Sequence, residues 1–293
     1  MNRLYIADLD DTLLSGGILP PGALVHLRQV IDSGAHFTVA TSRGVRAAVT
    51  PLADAYPKLP IIALGGAVVA YADGSRSLIE RIDPQVIAPI ASLADKSSVA
   101  YCLLATDGRD EIVFAPAHGD EFTDWSIEKA DYFKAREVTR GSMPPDADRG
   151  GVFRMTICGT APLTAMLERE IAASYRTVTA MNVPSRDMPG FAWLEIGAPT
   201  ATKEHGVRYV ASLLGYDMKD VVYYGDAAND LDVMQCVGEA VAVANAEVKV
   251  RDAARIVIGE ASTGAVARDL LRRLGLKPAP QQSTPLSRQA ALE

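Results

Sequence analysis

Three carboxylates lie within four residues near the start of the chain, where residues 6–14 read IADLDDTLL. Asp8 and Asp10 are two positions apart, so they share one face if the chain is extended here. Two carboxylates that converge on one point form either a coupled acid–base pair or a site for a hard cation. The simpler alternative is a set of solvated acidic residues that cap a turn. Partners elsewhere in the chain must decide between these alternatives.

A second acidic cluster follows another apolar segment. Residues 221–224 are Val-Val-Tyr-Tyr, and the next six read GDAAND, which includes Asp226, Asn229 and Asp230. Asn229 or Asp226 could instead cap the helix that follows, and such capping is compatible with cation binding. Both clusters begin where a buried strand is predicted to end, which is where open α/β sheets bind their ligands. We therefore expect the two clusters to belong to one site.

Two further segments add hydroxyl groups and cations at the same kind of position. Thr41, Ser42 and Arg43 follow the apolar residues 37–40, and Lys203 lies at the start of a predicted helix. Taken alone, a lysine is usually solvated and a threonine after a strand usually forms a turn. Only their combination with the two acidic clusters points to a shared chemistry.

That chemistry is phosphoryl transfer. Transfer to Asp8 requires an anionic phosphate to approach an anionic nucleophile. A divalent cation held by carboxylates removes this repulsion, while a hydroxyl and Lys203 neutralise the remaining phosphate oxygens. Oxygen ligands with water left in the coordination shell favour Mg2+. Asp10 is then placed to protonate the leaving oxygen and afterwards to activate water.

The first and last thirds of the chain alternate between apolar strands and amphipathic helices. This alternation predicts an α/β fold with a doubly wound, mostly parallel, Rossmann-like sheet and right-handed crossovers. Strands are predicted in the opening segment and at residues 37–40, 61–64, 221–224, 240–243 and 256–258, with a hairpin around Asp73-Gly74 and a helix over residues 43–56 that is interrupted near Pro51.

The middle third has a different order of elements. Strands are predicted at residues 99–106, 111–115, 152–158, 177–183 and 191–196, with a turn over 107–110, a loop over 143–151 and a helix over 162–175. We therefore expect an α+β cap domain, residues 83–198, inserted into a core made of residues 1–82 and 199–276, with a flexible tail over 277–293. Hinges are expected near Ile82-Asp83-Pro84 and Gly197-Ala198-Pro199.

Composition narrows the class of protein. The 293 residues include 48% hydrophobic and 22% charged residues, the usual mix of a globular protein, and the net charge is -7. This charge argues against a broad nucleic-acid surface, and no apolar run is long enough to cross a membrane. No signal-peptide pattern is visible, so we expect a cytoplasmic protein in which Cys102, Cys158 and Cys236 are buried free thiols. A monomer and a dimer are equally open.

With these motifs in place, the sequence resembles the haloacid dehalogenase (HAD) superfamily phosphatases, in the Cof-type branch that carries a large C2-type (IIB) cap. DLDDT matches the DxDxT motif, Thr41 the second motif, Lys203 the third and GDAAND the fourth, and VAVANA around Asn245 and STGAVARDL around Gly264 extend the match. The resemblance implies that Asp8 is the nucleophile, Asp10 the general acid–base, and Thr41 and Lys203 phosphate ligands. It further implies that Asp8, Asp226 and the Asp10 carbonyl bind Mg2+, supported by Asp230 and Asn229.

Two departures from the family pattern bear on substrate binding. The usual Thr-Gly-Arg is Thr41-Ser42-Arg43 here, and the usual Asn-Gly-Ala is Gly65-Gly66-Ala67. Any substrate contact that the Asn side chain makes in the family is therefore absent here, whereas the phosphoryl chemistry is unaffected. Ser42, Arg43 and Asn229 join Thr41 and Lys203 as candidate phosphate-binding residues.

The predicted function is Mg2+-dependent hydrolysis of a small phosphorylated metabolite, such as a sugar phosphate. A phosphomutase of the same superfamily is one alternative, because it uses the same aspartate pair. A receiver-type signalling domain is another, because it also combines an acidic pair, a phosphoacceptor aspartate, a hydroxyl and a lysine. The predicted cap should select the ester, and Trp125, Tyr132, Arg154 and Arg186 are candidates that read the leaving group.

Overall fold

The computed structural model describes residues 3–53, 55–71, 75–106, 111–115, 137–140, 151–185 and 188–279. The strands are β1 (Leu4–Ala7), β2 (His36–Val39), β3 (Ile61–Ala63), β4 (Val68–Ala70), β5 (Arg76–Ile79), β6 (Ala100–Thr106), β7 (Glu111–Ala115), β8 (Glu137–Arg140), β9 (Val152–Thr160), β10 (Thr179–Pro184), β11 (Phe191–Gly197), β12 (Val221–Gly225), β13 (Glu239–Ala242) and β14 (Ile256–Val257). The helices are α1 (Ala23–Asp32), α2 (Val45–Val49), α3 (Pro84–Lys96), α4 (Ala161–Ser174), α5 (Lys203–Leu213), α6 (Leu231–Cys236), α7 (Val248–Ala253) and α8 (Ala265–Arg273).

The first sheet is parallel and has the strand order β14-β13-β12-β1-β2. β1 and β12 are buried at every position, which is why both are continuous apolar runs rather than alternating patterns. Each fully buried aliphatic side chain contributes about 1.5–3 kcal/mol relative to an exposed one. β2 lies beyond β1 on one side, and β13 and β14 lie beyond β12 on the other. The switch point of the sheet therefore lies between β1 and β12. The predicted doubly wound α/β core is confirmed.

The third predicted strand, β3, leaves the parallel sheet after one contact. Ala40, which follows β2, forms a single parallel bridge with Ile62, and β3 otherwise pairs antiparallel with β4 in a three-stranded sheet that continues to β5. The predicted hairpin between β4 and β5 is confirmed, although its turn around Asp73-Gly74 lies outside the described residues.

The helix predicted over residues 43–56 is wrong in its length. Arg43 lies in the loop before α2, and α2 is followed by a single tighter turn over Thr50–Leu52. Pro51 has no N–H to donate to the preceding turn, and Ala53 has a positive φ of 47°, so the helix cannot continue.

Among the described residues, six strands form the second sheet, in the order β10-β11-β9-β6-β7-β8. Its pairs are antiparallel except β7 with β8. One face packs against α3 and α4, where alternate residues such as Leu103, Met155 and Ile196 form a separate apolar cluster with both helices. The intervening residues, including Arg154 and Glu195, occupy the opposite face, which we call the Arg154 face.

Helix α3 adds to the predicted elements, and so does β8. The Asp83 side chain accepts a hydrogen bond from the Gln85 N–H at 3.0 Å, and Pro84 occupies the first helical position. The same residues carry the predicted hinge, so that segment is the start of a helix. The cap boundaries and the hinge motion stay predictions.

The remaining expectations have mixed outcomes. At the start of the predicted tail, Lys277 and Ala279 are hydrogen-bonded to the side chain of Gln29 in α1 at 3.1 and 2.9 Å, so residues 277–279 are attached to the core. Cys158 is buried, whereas Cys102 and Cys236 are half-buried, and all three thiols are free. Within the described part of the chain, no helix has the length and apolar character needed to cross a membrane. Several predicted features lie outside the described residues: Trp125, Tyr132, Arg186 and the segments 107–110, 143–150 and 280–293.

Candidate active site

The register of the two central strands brings the acidic clusters together. Leu4 lies opposite Val221 and Ala7 opposite Tyr224, so β1 and β12 end side by side. The Asp8 N–H donates to the Tyr224 carbonyl at 2.9 Å, and Asp8 and Asp226 are 5% and 6% exposed. Carboxylate oxygens of Asp8, Asp226 and Asp230 all lie within 4.8 Å of one another. The two acidic clusters therefore meet at the carboxyl ends of β1 and β12, as predicted.

The chain turns sharply after Asp8. Asp11 adopts a positive φ of 55°, which Asp tolerates better than most residues, and the Leu14 N–H closes the turn on the Leu9 carbonyl at 2.7 Å. Within this turn the Thr12 hydroxyl donates to Asp226 Oδ1 at 2.9 Å. Asn245 holds the turn from outside, because its side-chain amide donates to the Asp11 carbonyl at 2.7 Å.

Lys203 enters the site from the first position of α5. Its Nζ donates to Asp8 Oδ1 at 2.6 Å and to Asp230 Oδ1 at 2.8 Å, with a side chain only 2% exposed. The Thr202 side chain caps the helix by accepting from the His205 N–H at 3.1 Å. Gly66 permits this placement: its φ is +101°, and a Cβ there would lie 1.8 Å from the Thr202 carbonyl oxygen.

Asp230 is held on both oxygens by donors. Oδ1 accepts from Lys203 and from the Tyr223 hydroxyl, the latter at 2.6 Å, and Oδ2 accepts from the N–H groups of Asp226 and Ala227 at 3.0 and 3.1 Å. These hydrogen bonds tie Asp230 to Lys203 and to the loop around Asp226. Tyr223 was not predicted. Its position in a fully buried strand could have indicated a contact with the site, because a buried tyrosine needs a hydrogen-bond partner for its hydroxyl.

The electrostatics of the cluster follow from its burial. Burial raises the pKa of Asp8 well above its usual range, and Lys203 opposes that rise. Burial also raises the pKa of Asp226 to about 6, against the hydrogen bond from Thr12. At Lys203 the effect of burial is outweighed by Asp230 and Asp8, which raise the pKa above its ordinary value. One lysine thus faces three buried carboxylates, and this hard-oxygen set with excess negative charge fits a divalent cation.

The remaining predicted residues line the neighbouring edge. Thr41 is fully buried, and its hydroxyl accepts from the Arg43 N–H at 3.1 Å. Ser42 accepts from the Asn229 side-chain amide at 3.3 Å, which joins the β2 loop to the β12 loop. The Arg43 guanidinium donates two hydrogen bonds to the Asp10 carboxylate, of 2.8 and 2.6 Å. The predicted phosphate ligand Arg43 is therefore engaged with the predicted acid–base residue in this conformation.

Curated relatives match the chain over different lengths. A Mycoplasma pneumoniae protein named as a phosphatase is 25% identical over 252 residues, which cover 82% of this chain and 86% of that protein. A Haemophilus influenzae protein with the same kind of name is 37% identical over 65 residues, which cover 22% of this chain. The second match spans only 25% of the Haemophilus protein's own length.

Solved structures resemble the whole fold. A haloacid dehalogenase-like hydrolase from Bacteroides thetaiotaomicron has a TM-score of 0.76 at 18% identity, with 93% of this chain and 100% of that chain covered. A HAD subclass IIB sugar phosphatase has a TM-score of 0.71 at 19% identity, with 93% and 99% covered. The sequence profile of the haloacid dehalogenase-like hydrolases matches residues 5–270, which include both acidic clusters, Thr41 and Lys203. The chain therefore belongs to the haloacid dehalogenase-like hydrolase family.

Proposed function

We propose that this protein is a Mg2+-dependent phosphatase that hydrolyses a small phosphomonoester through a phosphorylated Asp8. The observation that carries the proposal is the 2.6 Å hydrogen bond from Lys203 to Asp8 inside a cluster with Asp226 and Asp230. Phosphoryl transfer requires a nucleophile, a fixed positive charge and ligands for a metal cation. Asp8, Lys203 and Asp226 would supply these in turn.

The proposed Mg2+ ligands are Asp8, Asp226 and the main-chain carbonyl of Asp10. Asp230 would support them indirectly, because both of its oxygens are already held by donors. When bound, Mg2+ supplies the positive charge that screens the phosphate from Asp8 and polarises the phosphoryl oxygens. Thr12 fixes the orientation of Asp226 through its 2.9 Å hydrogen bond.

In the first half-reaction Asp8 attacks phosphorus, the bond to the leaving oxygen breaks, and that oxygen takes the proton of Asp10. In the second half-reaction Asp10 accepts a proton from water, whose oxygen attacks phosphorus, and the bond to Asp8 breaks to release inorganic phosphate. Lys203 holds one oxygen of Asp8 and so fixes the direction of attack. Because Arg43 holds both carboxylate oxygens of Asp10, that side chain must turn away from Arg43 to reach the leaving oxygen.

The phosphate oxygens would be bound by groups at the neighbouring edge. The proposed ligands are Thr41, Ser42, Arg43, Lys203 and Asn229, which is the set predicted from the sequence. The proposed substrate class is a sugar phosphate or a similar small metabolite. The subclass IIB neighbour, itself a sugar phosphatase, supports this class.

Turnover of p-nitrophenyl phosphate tests the proposal. We expect many turnovers per chain with Mg2+, loss of activity with a chelator and recovery when Mg2+ is returned. Stoichiometric phosphorylation without turnover would instead favour a receiver-type phosphoacceptor. Full activity in chelator would remove Mg2+ from the proposal, and transfer of phosphate to a second sugar phosphate rather than to water would identify a mutase.

A further inference from the structure

The turn between β3 and β4 lies directly against the proposed phosphate-binding segment. Leu64, Gly65 and Gly66 have positive φ values of 53°, 66° and 101°. The Leu64 N–H donates to the Arg43 carbonyl at 2.8 Å, and the Gly65 N–H donates to the Thr41 carbonyl at 2.9 Å. The peptide groups of this turn are therefore fixed relative to Thr41 and Arg43.

Arg154 reaches this turn from the second sheet. Its Nη2 lies 3.5 Å from the Leu64 carbonyl oxygen, and its Nη1 pairs with Glu195 Oε2 at 3.3 Å. Arg154 and Glu195 lie on neighbouring strands, β9 and β11, and both belong to the Arg154 face. Their side chains are 15% and 32% exposed, so both remain accessible to a ligand.

Gly65 provides the space for this guanidinium. A Cβ at position 65 would lie 2.9 Å from Arg154 Nη2, closer than side-chain carbons approach a neighbour without displacing it. The resemblance set out above places Asn at this position in related proteins. Here position 65 carries no side chain, and the Arg154 guanidinium from the second sheet lies 2.9 Å from where a Cβ would be.

The charge of the pair determines what it can bind. Arg154 offers N–H donors and Glu195 offers carboxylate acceptors, which together match a hydroxyl group as acceptor and donor. A carboxylate on the leaving group would gain the guanidinium but meet the like charge of Glu195. The pair therefore favours uncharged, hydroxylated groups over anionic ones.

We propose that Arg154, paired with Glu195 and given its space by Gly65, is a specificity-determining residue that binds an uncharged hydroxylated leaving group beside the Thr41 segment. This inference rests on the proposed phosphatase function and deepens it, because it assigns the selection of the ester to a particular contact between the two sheets.

The test compares kcat/KM for three esters: a hexose 6-phosphate, the carboxylated ester phosphoglycolate, and p-nitrophenyl phosphate. Arg154→Gln should lower the ratio of the hexose phosphate value to the p-nitrophenyl phosphate value roughly 10- to 100-fold, the usual weight of a hydrogen bond to a charged group. The loss should lie mainly in KM. Arg169→Gln, on the exposed surface of α4, is the matched control and should leave all three values unchanged.

Two further variants separate recognition from packing. Gly65→Asn keeps a residue that tolerates positive φ but fills the space of the guanidinium, so it should reproduce the change in ratio. Glu195→Gln should shift preference toward phosphoglycolate, because it removes the like charge. A thermal unfolding curve for each variant shows whether the fold is retained.

Equal losses on all three esters, or no change in the ratio, would overturn the inference and leave the phosphatase proposal standing. A rise in the absolute kcat/KM for phosphoglycolate in Arg154→Gln would overturn it as well, because Glu195 alone should repel the carboxylate. If the wild type hydrolyses none of the three esters, the proposed function fails and the inference fails with it.

Discussion

The acidic edge of the parallel sheet and the Arg154 face of the second sheet differ in how tightly their polar groups are held. At the edge, Asp8, Asp230 and Lys203 are joined by hydrogen bonds of 2.6–2.8 Å and are almost completely buried. On the Arg154 face, Arg154 and Glu195 are partly exposed, and their nearest side-chain nitrogen and oxygen are 3.3 Å apart. Phosphoryl transfer needs groups fixed within a fraction of an ångström, whereas a surface that binds a leaving group must exchange water for ligand. Each prediction below probes one side of this difference.

The largest effect should come from Asp226. Asp226→Ala removes a proposed Mg2+ ligand and the acceptor of the Thr12 hydroxyl. We expect kcat/KM for p-nitrophenyl phosphate to fall roughly a thousandfold, since the cation contributes several kcal/mol to the transition state. Activity measured against Mg2+ concentration should also lose its saturation. A variant with wild-type Mg2+ dependence would exclude Asp226 as a ligand.

Asp226 also allows the loss of folding free energy caused by a buried carboxylate in this site to be measured. Burial raises the pKa of Asp226 from 3.8 to about 6, so ionising it in the folded state costs stability as the pH rises through that range. In metal-free protein, Asp226→Asn should therefore be more stable than wild type at pH 7 by about 1–3 kcal/mol, and the difference should vanish near pH 4. Urea unfolding at the two pH values measures this. If Asp226→Asn were less stable than wild type at pH 7, the ionised Asp226 side chain would not destabilise the metal-free protein.

A pair of neighbouring tyrosines offers an internal control for positioning. Tyr223 donates to Asp230 at 2.6 Å, whereas Tyr224 donates to Asp269 at 2.9 Å on the α8 side, and both are fully buried. Tyr223→Phe should lower kcat about tenfold with little change in KM, because Asp230 then holds Lys203 less firmly. Tyr224→Phe removes an equivalent hydroxyl and should keep kcat within about twofold. Equal effects on kcat would assign both hydroxyls to stability alone.

The smallest effect should come from Ser42. Its hydrogen bond to Asn229 is long, at 3.3 Å, and exposed. Ser42→Gly, which restores the glycine usual in related proteins, should therefore change kcat/KM by less than about threefold. Steady-state kinetics on p-nitrophenyl phosphate provide the measurement. A loss beyond tenfold would show that the Ser42 hydroxyl contributes far more to phosphate binding than its exposed hydrogen bond indicates.

The two regions also differ in how far the sequence predicts them. Asp8, Asp226 and Lys203 could be placed together because carboxyl ends of parallel strands meet at one edge, and the register that sets Ala7 opposite Tyr224 confirms that β1 and β12 end side by side. The pairing of Tyr223 with Asp230 could not, since it depends on how the loop after β12 folds back. The contact of Arg154 with the turn at Gly65 could not be predicted either. Arg154 and Leu64 are 90 residues apart in the chain, and their contact depends on how the second sheet is placed against the β3–β4 turn. The helix over residues 43–56 was predicted too long, because Pro51 was treated as an interruption rather than an end.

The most direct test of the account is whether phosphate becomes attached to Asp8 during turnover. Wild-type protein should be quenched in acid while it hydrolyses a radiolabelled ester, and the labelled peptide should then be mapped. We expect label on the peptide that contains Asp8, and neither label nor turnover in folded Asp8→Asn, because an amide cannot form the acyl phosphate. Label on another residue, or appreciable hydrolysis by Asp8→Asn, would contradict the proposed role of Asp8.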